Sequence, residues 1–162
     1  MTDIVKSAQY IEKNRPEIIQ RMIKFLQTDT LIFLSNSDTL YSVQKEQWQP
    51  LLDIAKEVFE LNINQTTTLC PPNHEKAEKV LAKVLEKLTL KELTVGFLAA
   101  METQSVIIGL LLAKKQINAA EAFEKAFLEE LYQNKIWGTD DFLENRHRQI
   151  SQNLLELEKF SA

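Results

Sequence analysis

The segment LTVGFLAAMETQSVIIGLLLA, residues 93–113, is the most apolar stretch of the chain and places the strongest constraint on its fold. It is long enough to span a bilayer. However, Glu102, Gln104 and Ser105 lie in its middle, and a carboxylate at the centre of a membrane helix costs about 3 kcal/mol. A helix that is apolar on nearly every side is more stable when it is buried among other helices. The sequence therefore predicts a central buried helix and no membrane insertion.

Helix signals surround this segment on both sides. Thr89 and Glu92 have the spacing of a capping box ahead of it, and Asn118 and Glu121 repeat that spacing after it. The second capping box begins a predicted helix that runs to about residue 136. Apolar stripes or capping residues predict further helices at 3–13, 14–26, 41–59, 75–88 and 140–160. Pro50 is expected to kink or divide the helix at 41–59.

Two short segments have the pattern of β-strands. TDTLIFLS, residues 28–35, contains four consecutive apolar residues, and LNINQTTTL, residues 61–69, alternates in polarity. The chain contains only three glycines and four prolines, which favours long helices over many tight turns. The predicted fold is mostly α: a multi-helix bundle with a central buried helix and a small two-stranded β element, forming one domain over residues 1–162.

Charge and cysteine content exclude several classes of protein. The 23 acidic and 19 basic residues are interspersed, so the sequence has no basic stripe of the kind that binds a nucleic-acid backbone. The single cysteine, Cys70, rules out an intrachain disulfide and suits a reducing compartment. The N-terminal MTDIVKSAQY has neither a secretory signal nor a transit signal. We expect an intracellular protein that does not bind nucleic acid.

Motifs for nucleotide binding or nucleophilic catalysis are absent from the sequence, which contains no GxxxxGK[ST], GxGxxG or GxSxG. Cys70 and His74 have chelating spacing but lack a second pair of ligands, so they are interpreted as a loop thiol and a surface imidazole. His147 lies between two arginines without an evident carboxylate partner and is interpreted as a solvated residue. We therefore predict no catalytic residues, no metal site and no cofactor.

Two adjacent carboxylates, Glu129 and Glu130, raise the question of an acid pair. Adjacent side chains on a helix point about 100° apart, so these two cannot share a proton as a facing pair does. A helical projection places Phe123, Phe127 and Leu131 on one face, with Glu129 opposite them and Glu130 at their margin. Glu129 is predicted to face water. Glu130 has two possible roles, as a charge that keeps the helix soluble or as the rim of an interface.

Two further residues have alternative interpretations. Glu102 fits either a buried base in an enzyme or, as we favour, a carboxylate that is hydrogen-bonded within the bundle. Trp48 fits either an exposed contact or a core residue near the proline, and the spacing favours the core. Neither residue by itself identifies an activity.

Four segments, in order, resemble the chaperone family that binds the α subunit of the ATP synthase F1 sector during assembly. They are KFLQTDTLIF at 24–33, VQKEQWQPLL at 43–52, FLAAMETQSVIIGLLL at 97–112 and LEELYQNKIWG at 128–138. The resemblance covers essentially the whole chain and corresponds to the helical C-terminal domain of the family. The N-terminal β-rich domain that family members usually carry has no counterpart in this sequence.

This resemblance implies a function without catalysis. A family member would bind the unassembled α subunit without using ATP, prevent its aggregation and transfer it to the β subunit, acting as a monomer in a bacterial cytoplasm or a mitochondrial matrix. The family's functional acids precede Trp-Gly, which corresponds here to Glu129 and Glu130. The other partner-binding residues expected from this motif and the acid that follows it are Tyr132, Gln133, Trp137 and Asp140. The alternative is a helical adaptor for a different protein partner.

Overall fold

The computed structural model describes residues 3–162, which fold into nine α-helices and two short 3-10 turns. This confirms the predicted mostly α class. Residues 1–2, which begin the segment predicted to lack a targeting signal, lie outside the described residues. The helices are α1 (Ile4–Lys13), α2 (Arg15–Phe25), α3 (Asp38–Phe59), α4 (Glu75–Glu86), α5 (Leu90–Thr103), α6 (Val106–Ala113), α7 (Ala119–Ala126), α8 (Leu128–Trp137) and α9 (Asp141–Ser161).

The predicted central helix is divided into two helices, α5 and α6, which pack against each other. Gln104 adopts a left-handed conformation with φ 58°, and the Ser105 hydroxyl then caps α6 by accepting a hydrogen bond from the backbone N–H of Ile108. Every residue of α6 is buried. The most apolar segment of the sequence is therefore a buried helical hairpin. No helix among the described residues has the length and apolarity needed to cross a bilayer.

A glycine on α6, Gly109, allows this hairpin to close. A Cβ atom added to Gly109 would lie 2.4 Å from the backbone oxygen of Gly96 and 2.9 Å from the backbone nitrogen of Ala100. The backbones of α5 and α6 thus approach too closely at this crossing for any side chain at residue 109.

The predicted capping boxes at Thr89–Glu92 and Asn118–Glu121 are both present.

A buried carboxylate, Asp29, holds the turn between α5 and α6 in place. Its side chain accepts hydrogen bonds from the Ser105 hydroxyl at 2.7 Å, the Ile107 N–H at 3.1 Å and the Leu31 N–H at 3.0 Å. The backbone N–H of Thr30 also donates to the carbonyl of Gln104. Complete burial raises the pKa of Asp29 to about 6, although these hydrogen bonds act in the opposite direction.

The predicted two-stranded β element is wrong. The described residues contain one isolated parallel bridge, between Phe33 and Thr66, and no strand. Residues Thr30–Ile32 form a 3-10 turn because Asp29 caps the N–H of Leu31. Leu31 and Ile32 are both fully buried, whereas adjacent residues of a strand would point to opposite sides.

The helix predicted at 119–136 is also divided. Phe127 leaves the helical conformation, with φ −106° and ψ 23°, and it separates α7 from α8. In contrast, α3 continues through Pro50 without the division considered from the sequence. Trp48 is only 1% exposed, and its indole Nε1–H donates to the carbonyl of Lys125 at 2.9 Å. This confirms that Trp48 is a core residue, and it joins α3 to α7.

Candidate functional site

Exposed apolar side chains are concentrated where α8 meets α9. Trp137 is 84% exposed and Phe142 is 75% exposed, and the neighbouring Ile136 is more than half exposed. Gly138, with φ 82°, ends α8, and Asp140 caps α9 by accepting from the backbone N–H of Leu143 at 2.8 Å. We call residues 136–142 the α8–α9 corner. A cluster of large exposed apolar side chains of this kind is typical of an interaction site.

The two acids of α8 have different surroundings. Glu129 is exposed, as the helical projection predicted. Glu130 is turned toward α9, where its Oε2 lies 2.7 Å from Nε2 of His147. Its Oε1 lies 3.9 Å from Nη1 of the largely exposed Arg146. Glu130 is thus part of an interhelical contact, and the two carboxylates do not form an acid pair.

The interpretation of His147 as a solvated residue is wrong. Its side chain is buried, and its imidazole is hydrogen-bonded to the Glu130 carboxylate. Its ring centroid lies 5.5 Å from those of Phe123 and Phe127. The sequence contained a signal for this placement, because residues 147, 150, 154 and 157 have the spacing of one helix face and the last three are apolar. The flanking arginines obscured that signal.

The other predicted partner-binding residues do not form one cluster. Gln133 and Trp137 follow Glu129 at four-residue spacing, so these three share the solvent-facing side of α8. Tyr132 instead lines a groove of about 490 Å³ between α8 and Val43 of α3. Asp140 is exposed and caps α9. The structure therefore distributes these residues over the outer face of α8, the groove and the corner.

Glu102 is hydrogen-bonded to the bundle, as the favoured interpretation predicted. Its Oε1 accepts from Nδ2 of Asn153 at 2.9 Å, and the Asn153 side chain accepts in turn from Nε2 of Gln149. A surface groove of about 530 Å³ lies beside this chain of hydrogen bonds and is lined by exposed side chains that include Met101 and Phe142. Glu102 thus connects α5 to α9.

The Cys70–His74 pair was predicted to be a loop thiol and a surface imidazole. Cys70 is exposed in a loop, but His74 is buried and its Nε2 accepts from the backbone N–H of Asn64 at 3.0 Å. Burial lowers the pKa of His74, and the carboxylate of Glu78 acts in the opposite direction. Among residues 3–162, no group of three or more His, Cys, Asp or Glu side chains could hold a metal ion.

Several known proteins are similar to this chain. A family model described as ATP12 chaperone protein matches residues 1–56. The crystal structure of Atp12 from Paracoccus denitrificans has a TM-score of 0.89 and 21% identity, covering 96% of this chain and 67% of that one, and a mutant of the same protein gives the same values. The Atu1473 protein from Agrobacterium tumefaciens has a TM-score of 0.78 and 22% identity, covering 93% and 57%.

These findings confirm the family resemblance identified from the sequence. The family model matches the first third of the chain, and the solved structures share the fold over almost all of it. This chain spans about two thirds of the length of the Paracoccus protein and 57% of the Agrobacterium protein.

Proposed function

We propose that this protein, which matches the ATP12 chaperone family over its first third and shares the Atp12 fold, is an ATP-independent assembly chaperone. Its partner is the unassembled α subunit of the ATP synthase F1 sector. The chaperone prevents aggregation of that subunit and transfers it to the β subunit. The observation that carries the proposal is an exposed aromatic corner on a fold whose relatives include Atp12.

The chemistry of the α8–α9 corner suits transient binding of a protein. Trp137 and Phe142 offer large apolar contact areas, and Asp140 and Asp141 place negative charge between them along the chain. Aromatic side chains supply most of the binding free energy in many interfaces, whereas charges at the rim select the partner and its orientation. The complementary surface on the α subunit should therefore combine an apolar pocket with basic residues.

Release of the α subunit requires no bound nucleotide in this proposal. A chaperone stabilises the subunit only while it is bound, so a competitor with higher affinity for the same surface displaces it by mass action. The β subunit is such a competitor if its binding surface overlaps with that of the chaperone. The setting is a bacterial cytoplasm, or a mitochondrial matrix if the chain is organellar.

The direct test uses purified protein and the cognate α subunit. We expect the protein to bind free α subunit and suppress its aggregation, measured by light scattering without nucleotide, and we expect added β subunit to reverse the binding. A pull-down from the source cell separates this function from that of a helical adaptor. Capture of another protein by the corner, with no binding of the α subunit, would favour the adaptor.

Substitution of Trp137 by alanine should weaken binding of the α subunit by about 30-fold, as expected for an aromatic anchor worth about 2 kcal/mol. The melting temperature should change little because the indole is almost fully exposed. Isothermal titration and thermal unfolding measure the two effects. The matched control is Leu69→Ala, which removes a side chain that is 96% exposed in the loop between α3 and α4. Equal losses of affinity in both variants would contradict a specific role for Trp137.

A further inference from the structure

Helix α8 has little packing to hold it in place. None of its ten residues is buried, and its apolar contact with the core depends on the partly buried Leu128 and Leu131. The break at Phe127 separates it from α7, and the groove beside Val43 lies between it and α3. Since an isolated ten-residue helix is only marginally stable in water, the orientation of α8 depends on its few contacts with other elements.

Within residues 3–162, the side-chain hydrogen bonds and ion pairs that join α8 to another element all involve Glu130. Its carboxylate contacts His147 at 2.7 Å and Arg146 at 3.9 Å, both on α9. The contact with Arg146 is long and involves a side chain that is about half exposed, so it contributes little. The contact with His147 is short, and it is the main polar connection between the two helices.

His147 provides a fixed attachment point for this contact. Its imidazole packs against the rings of Phe123 and Phe127 and is only 9% exposed, so it has little freedom to move. Glu130 is 43% exposed, and without this contact its side chain would adopt several rotamers in water. The buried imidazole therefore determines where the carboxylate lies, and the carboxylate determines how α8 is rotated over α9.

We propose that His147 is a positioning residue that holds α8 through Glu130 and thereby orients Trp137 for the partner protein. Glu130 then acts inside the molecule, and it is not itself a contact with the partner. This inference rests on the proposed function for its effect on binding, but the connection between the helices is a property of the free protein. Substitutions that conserve the hydrogen bond and substitutions that destroy it should therefore have different effects on α8.

Two pairs of substitutions separate the hydrogen bond from the charge. Glu130→Gln retains a carbonyl oxygen that can accept from His147, whereas Glu130→Lys places an ammonium group beside His147 and Arg146. His147→Gln retains a donor at nearly the position of Nε2, whereas His147→Leu retains apolar packing against the two phenylalanines but cannot hydrogen-bond. For hydrogen exchange in the free protein, the matched control is Glu129→Lys, which makes the same charge change at the adjacent, exposed residue of α8.

The first measurement is amide hydrogen exchange of the free protein. We expect exchange in α8 to be about tenfold faster in Glu130→Lys and His147→Leu, as loss of one hydrogen bond implies, and unchanged in α5 and α6. Glu130→Gln, His147→Gln and Glu129→Lys should exchange at nearly the wild-type rate. Wild-type exchange in α8 of both Glu130→Lys and His147→Leu would overturn the inference.

The second measurement is binding of the α subunit by the Glu130 and His147 variants. We expect Glu130→Lys and His147→Leu to bind about tenfold more weakly, and Glu130→Gln to retain affinity. If Glu130→Gln loses as much affinity as Glu130→Lys while its α8 exchange is normal, Glu130 contacts the partner directly and the inference is overturned. If the wild-type protein does not bind the α subunit, the proposed function fails, but the exchange measurements still decide whether His147 positions α8.

Discussion

Replacement of Gly109 by alanine is expected to destabilise the protein by about 3 kcal/mol, the upper end of the usual cost of overpacking a core. The new methyl group would lie 2.4 Å from the Gly96 carbonyl oxygen and 2.9 Å from the Ala100 nitrogen. Both are backbone atoms, so relief requires α5 and α6 to separate and expose the most apolar part of the chain. Unfolding in denaturant, monitored by circular dichroism, measures the loss.

The facing glycine supplies a matched control. A Cβ atom on Gly96 would meet nothing closer than the Met22 methyl group at 3.6 Å and the Ala113 Cβ at 3.7 Å, which are ordinary van der Waals contacts. Gly96→Ala should therefore be neutral, or stabilising by up to about 1 kcal/mol, because alanine favours the helix and restricts the unfolded chain. Similar losses in both variants would show that the hairpin does not depend on the close approach at Gly109.

Replacement of Asp29 by asparagine is expected to destabilise the protein by about 2 kcal/mol at pH 7, the cost of leaving a buried donor unsatisfied. The donors to the carboxylate include the Leu31 N–H, the Ser105 hydroxyl and the Ile107 N–H. An amide can present only one oxygen to them, and its NH2 group would face a donor. Chemical unfolding measures the change, and Asp53→Asn, at an exposed residue of α3, controls for removal of a charge.

The effect of Asp29→Asn should also depend on pH. The pKa of Asp29 is raised from its ordinary value of 3.8 to about 6 by burial, so between these values the folded protein holds a proton that the unfolded chain has released. The stability that this proton contributes is fully present below about pH 4 and is lost as the pH rises through 6. The advantage of the wild-type protein over Asp29→Asn should therefore be about 2 kcal/mol greater at pH 4 than at pH 7. An advantage that is independent of pH would contradict this expectation.

Local signals in the sequence were sufficient to predict most of the helices. Both capping boxes have the expected partners, because Thr89 with Glu92 and Asn118 with Glu121 satisfy backbone groups within one turn. The class of fold follows from these signals and from the apolar stripes. A helix that is stabilised by neighbouring residues in the sequence can be found from the sequence alone.

The break in the central segment could not be predicted in this way. Gln104 is not a residue type that usually marks a left-handed turn, and the carboxylate that stabilises the turn comes from Asp29, 76 residues earlier than Ser105. The same carboxylate replaces the predicted strand with a 3-10 turn. Asp29 is thus involved in both errors: its contact with Ser105 joins segments that are distant in sequence, whereas its cap of the Leu31 N–H is local.

The candidate site was predicted only in part. The helical projection correctly placed Glu129 in solvent and Trp48 was correctly assigned to the core, but a projection of one helix cannot show which residue of another helix lies opposite. The partner of Glu130 is His147, which is 17 residues later on α9. The chain changes direction at Gly138, which brings Glu130 and His147 together. No local sequence pattern predicts this contact.

The two tryptophans differ greatly in their surroundings, and this gives the protein two separate optical reporters. Trp48 is enclosed in the core and hydrogen-bonded to Lys125, so its emission should be blue-shifted and protected from iodide until the chain unfolds. Trp137 is in water at the corner, so iodide should quench it in the free protein, and a bound partner should shield it. With a partner protein that lacks tryptophan, one emission spectrum would report the integrity of the fold and the occupancy of the corner at the same time.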